Sequence, residues 1–94
     1  MAGTVAAAIN GVGVTGVAPG VRVAAVKVVN DGGYIFPEAA VCGLVWAAEH
    51  GSMQLTNNSY YVDPWELNCR NDARQRPAWQ AAQRAIRYSQ SRAW

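Results

Sequence analysis

Val21-Arg22-Val23-Ala24-Ala25-Val26-Lys27-Val28-Val29 is apolar at both parities of an alternating chain, and Arg22 and Lys27 are its only charges. A strand with apolar side chains on both faces suits a parallel sheet covered on both sides. Asn30-Asp31-Gly32-Gly33 closes it as a turn. Pro37 then opens a helix, since proline is favoured at the first helical position. Ala39, Ala40, Cys42, Gly43, Leu44, Trp46 and Ala47 carry it to Glu49-His50, and Gly51 ends it. Met53 to Asn57 reads as a second, shorter strand. Strand, helix and strand in this order form a βαβ unit with a right-handed crossover.

Working outward, the first nine residues are small and helix-compatible, and Asn10-Gly11 stops them. Gly11 to Gly20 is a glycine-rich loop. Ser59 to Asn71 is a polar and aromatic connection containing Pro64 and Trp65. A last helix spans about Pro77 to Ser91, with Trp79, Ala82 and Ile86 on one face and Arg84 and Arg87 on another. The expected architecture is α/β: a parallel-sheet βαβ unit with flanking helices, in one partial domain over residues 1–94.

Composition sets the boundaries. Of the 94 residues, 51% are hydrophobic and 15% charged, enough apolar content to argue against global disorder. A net charge of +2 is too small to imply nucleic acid or a membrane surface, and neither is expected as a partner. No stretch approaches the roughly 20 apolar residues of a membrane span. The start, Met1-Ala2-Gly3-Thr4-Val5, has no basic segment and does not read as a signal peptide.

Few motifs carry chemistry. Gly11-x-Gly13-x-x-Gly16 matches a dinucleotide fingerprint as a string, but that fingerprint needs a strand before it and a helix after it. Here the order is reversed, so a glycine-rich turn is expected. His50, the only histidine, sits at a helix end, where an imidazole interacts well with the helix dipole. Cys42 and Cys69 allow either one disulfide, if the parent is secreted, or two buried thiols. One histidine and two cysteines at this spacing are a poor zinc set.

Five segments in order resemble subtilisin-like serine peptidases. Ala2-Gly3-Thr4-Val5-Ala6-Ala7 resembles the family's stretch after its catalytic histidine, H-G-T-H-V-A-G-T-I-A-A. Asn10-Gly11-Val12-Gly13-Val14-Thr15-Gly16-Val17-Ala18-Pro19 resembles N-x-x-G-V-x-G-V-A-P, and Val23-Ala24-Ala25-Val26-Lys27-Val28-Val29 resembles A-V-K-V-L. Gly43-Leu44-Val45-Trp46-Ala47 resembles G-I-x-W-A, and Thr56-Asn57-Asn58-Ser59 resembles I-N-M-S. The resemblance covers roughly Ala2 to Tyr61, with one extra residue near Gly51-Ser52.

The resemblance implies peptide-bond hydrolysis by an Asp-His-Ser triad in the parent, with a peptide or protein substrate. None of the three triad residues falls within this chain, so it is expected to be an inactive fragment of a secreted, extracellular endopeptidase. The alternative is a non-catalytic protein that keeps the groove and acts as a decoy. By the same resemblance, Gly33-Tyr34-Ile35 and Ser59-Tyr60-Tyr61 would flank a substrate backbone as edge strands. Tyr60 departs from the family's usual Leu and Tyr61 from its usual Gly. Val29, Pro37 and Ala40 would border an apolar pocket for a substrate side chain. The resemblance also implies a calcium loop, with the Asn10 side chain and the carbonyls of Ala8, Val12 and Val14 as ligands. Calcium is expected in the full-length parent and not for this chain. Met1 stands where the family has Val, which predicts a GTG first codon and His-Gly-Thr-His encoded upstream.

Overall fold

The structure, a computed structural model, describes residues 1–51, 53–65 and 69–93. Residues 66–68 of the expected connection, and Ser52 before the expected second strand, lie outside the described residues. Among the described residues three helices follow one another: α1 (Ala2–Ala6), α2 (Pro37–His50) and α3 (Arg76–Ala93).

Helix α1 ends before the residues expected to extend it, because the loop returns to cap it. Gly16, Val17 and Ala18 donate their backbone N–H groups to the carbonyls of Ala7, Thr4 and Val5 at 2.9, 3.0 and 2.8 Å. The close approach requires glycine at 16, where a Cβ would lie 2.5 Å from the Ala7 nitrogen and 2.6 Å from that of Ala6. The reversed fingerprint is therefore a helix-capping turn, with Gly11 and Gly13 at positive φ.

Helix α2 matches its expected span, with Pro37 in its first turn and the Gly51 N–H bonded to the Ala47 carbonyl at 2.9 Å. Helix α3 packs against it. Ala40 and Ala47 of α2 and Ala85 of α3 are all buried. Ser89 Oγ lies 3.2 Å from the Leu44 carbonyl and 2.9 Å from that of Ala85, so the hydroxyl bridges the helices. Arg92 Nε pairs with Glu49 Oε1 at 3.6 Å near their ends.

The turn before α3 is held by Asp72. Its carboxylate accepts the Arg74 N–H at 2.8 Å, the Arg74 guanidinium at 3.1 Å and the Gln75 amide at 3.3 Å. The bonds from Arg74 hold the Asp72 carboxyl below its ordinary value of 3.8. A depressed carboxylate stabilises the turn fully above its unfolded value and loses that contribution as pH falls through the folded one. Acidification below about pH 4 is therefore expected to fray the start of α3. Circular dichroism should show that loss in the unsubstituted chain and not in Asp72→Ala, whose helix start is expected to be frayed already at neutral pH.

The expected parallel sheet does not form. Among the described residues there is no strand, and no backbone hydrogen bond joins residues 21–29 to 53–57. Neither segment has regular secondary structure, and both lie against α2. Val28 Cγ1 approaches so closely that a Cβ on Gly43 would meet it at 2.6 Å. Between the segments is a cleft of about 120 Å³ lined by Ala24, Val26, Val28, Met53, Thr56 and Asn57. Sheet pairing needs strands about 4.8 Å apart. Two parallel strands alone would also keep their outer edges and one face bare, which makes so small a sheet marginal. The apolar pattern of Val21–Val29 is real, but nothing among the described residues covers its second face, where Val21 and Val23 are half exposed.

The result is an open chain. Its radius of gyration is 15.4 Å, against about 12 Å for a compact domain of this length. Among the described residues the buried hydrophobic ones are Ile35, Ala40, Ala47 and Ala85, three of them alanines.

Candidate functional site

A groove of about 290 Å³ opens where α2, α3 and residues 58–62 converge. Pro37, Ala40, Val41 and Leu44 form its α2 wall. Trp79, Ala82 and Ile86, the face expected from the spacing of α3, form the opposite wall. Tyr60 and Tyr61 close one side. Burial pushes the Tyr60 phenol above its ordinary value of 10.0, and its hydroxyl donates to Asn58 Oδ1 at 3.2 Å. Pro37 and Ala40 line this groove and Val29 does not.

The two segments expected to flank a peptide differ in what their backbones offer. Gly33 sits at positive φ in a turn built on Asn30. Asn30 Oδ1 accepts the N–H groups of Gly32 and Tyr34 at 3.0 and 2.9 Å, and the Asn30 carbonyl accepts that of Gly33 at 3.0 Å. Ile35 donates to Asp63 Oδ2 at 2.8 Å, and its carbonyl accepts the Asp63 N–H at 3.0 Å. The donors of Gly33, Tyr34 and Ile35 are therefore all engaged. Those of Ser59, Tyr60 and Tyr61 have no partner among the described residues. Asp63 ties the two segments together, a role the sequence signalled only through the turn-forming Asp63-Pro64 pair. Tyr34 packs on Phe36 with ring centroids 4.7 Å apart.

His50 is not placed for proton transfer. Its Nδ1 lies 3.0 Å from the Trp46 carbonyl, an acceptor, so that nitrogen carries the proton. The ring stacks on Trp46 at 4.7 Å and 17°. No hydroxyl or carboxylate bonds to it among the described residues.

In the Asn10 loop, Asn10 Oδ1 accepts the Val12 N–H at 3.1 Å. Calcium takes six to eight oxygens. Asn10 with the carbonyls of Ala8, Val12 and Val14 offers four, one of them already engaged. These residues do not complete a calcium site by themselves. Cys42 and Cys69 are both free and exposed, which does not fit buried thiols. No helix among the described residues is long and apolar enough to cross a membrane.

No family model matches the chain, and no solved structure matches it. Two known proteins do. Fervidolysin of Fervidobacterium pennivorans is 33% identical over 66 residues, which is 64% of this chain and 9% of that protein. Subtilisin DY of Bacillus licheniformis is 49% identical over 51 residues, 54% of this chain and 19% of that protein. The chain spans less than a fifth of the length of either relative. What the chain has in common with subtilisin-like peptidases is a partial homology, extending over more than half of its own length.

Proposed function

We propose that this chain is a piece of a subtilisin-like serine endopeptidase and builds one wall of its peptide-binding cleft, while the parent supplies the triad and hydrolyses the peptide. The observation that carries this is the groove. Pro37 and Ala40 of α2 and Tyr60 and Tyr61 of the later connection converge on one apolar hollow. An apolar ligand side chain would enter it, and the ligand backbone would pair with the free edge at Ser59–Tyr61. Gly33–Ile35 would act by supporting that edge through Asp63, because its own donors are engaged. The parent would be extracellular, where a Cys42–Cys69 disulfide could form on oxidation. Any calcium would need ligands from the rest of the parent.

Titration of the chain with a short apolar peptide is expected to change its tryptophan fluorescence through Trp79, saturating in the high micromolar to millimolar range. Ala78→Leu, which narrows the groove, should weaken binding, and Trp79→Phe should remove the signal. A signal that survives Trp79→Phe, or no binding at all, would contradict the assignment.

A further inference from the structure

We infer that Asn10-Gly11 is a self-modifying site, where the Gly11 nitrogen displaces the Asn10 side-chain amide and an acid is left in its place. The proposal is independent of the peptide-groove assignment. Asn10 and Gly11 are exposed, in the loop that returns to cap α1. Asn10 Oδ1 accepts the Val12 N–H at 3.1 Å. That bond turns the side chain along the loop toward the Gly11 peptide. Its donor is also placed to stabilise the charge that develops on Oδ1 as Cγ is attacked. The Gly11 N–H has no acceptor among the described residues, and neither has Asn10 Nδ2. Nucleophile and leaving group are therefore both unengaged. Gly11 has no Cβ to crowd the closing ring, and nothing lies within 4 Å of the place one would take.

The step balances with water alone. The Gly11 amide loses its proton, the N–Cγ bond forms, the Cγ–Nδ2 bond breaks, and ammonia leaves. The product is a cyclic succinimide. Water then opens either of its carbonyl–nitrogen bonds. One opening gives aspartate; the other gives isoaspartate, whose backbone runs through Cβ and Cγ. Both lower the net charge of +2 by one. Isoaspartate also lengthens the path that brings Gly16, Val17 and Ala18 back to α1.

The other described asparagines lack this combination. Asn30 Oδ1 is held by the N–H groups of Gly32 and Tyr34, and the side chain of Asp31 follows it. Asn57 and Asn58 commit Nδ2 to Ser59 Oγ and Thr56 Oγ1 at 3.1 and 3.0 Å. Asn71 precedes Asp72, again a residue with a side chain.

Mass spectrometry of the full chain, incubated warm at mildly alkaline pH and then cut with trypsin, tests this. Met1–Arg22 holds no other asparagine and no glutamine, so an amide-to-acid mass gain in it belongs to Asn10. The gain should appear there at least about tenfold faster than at Asn30, Asn57, Asn58 or Asn71. It should appear as two separable products of equal mass. Gly11→Ala should slow it by about tenfold. In guanidinium chloride, which dissolves the turn, the unsubstituted chain should react roughly two- to tenfold more slowly, the worth of one hydrogen bond. Equal rates at Asn10 and Asn57, a single acid product, or no slowing in denaturant would each overturn the proposal.

Discussion

Diluted to low micromolar concentration and heated, the chain is expected to lose its helices gradually, without the sharp heat absorption of a two-state domain. Among the described residues, three of the four buried hydrophobic ones are alanines, which remove little apolar surface from water. Val17 and Leu55 are 90% and 88% exposed. Hydrophobic burial is the main term opposing chain entropy, and here it is small. A hydrophobic dye should bind before any heating, as it does to loosely packed states. A cooperative transition absorbing about 65 kcal/mol, the usual value for this length, would contradict the open architecture.

The other large effect is on catalysis. Incubated with casein or a peptide anilide, the chain is expected to give no hydrolysis above buffer. An enzyme of this class would exceed the uncatalysed rate by at least about 10⁶. A serine nucleophile needs a histidine within hydrogen-bond reach and a third group to orient it. The only histidine directs Nδ1 to the Trp46 carbonyl and stacks its ring on Trp46. Glu49, its neighbour in sequence, is paired with Arg92 instead. Hydrolysis that a serine-directed inhibitor blocks and His50→Ala abolishes would contradict this.

The helices were legible in the sequence because their signals are local. Pro37 and Gly51 bracket α2, and Trp79, Ala82 and Ile86 recur at helical spacing on the groove face of α3. Even the end of α1 has a local cause, though the sequence did not reveal it: the capping N–H groups arrive from residues 16–18. The sheet was not legible, because its signal concerns a partner. Val21–Val29 has the composition of a strand buried on both faces, but composition does not supply the neighbouring strand. The groove was half legible. Pro37 and Ala40 were expected at an apolar pocket. The Asp63–Ile35 tie was not expected, since it joins residues 28 positions apart through a side chain.

Amide hydrogen exchange, at a dilution where the chain sediments as a monomer, tests the central claim that the βαβ segments lie on α2 without pairing. The account predicts the slowest exchange within Val41–His50 and the middle of α3, where N–H groups are bonded inside packed helices. It predicts exchange near the rate of an unfolded chain at residues 22–28 and 55–57. Slow exchange at alternate residues of both segments would show a formed sheet, and would contradict it.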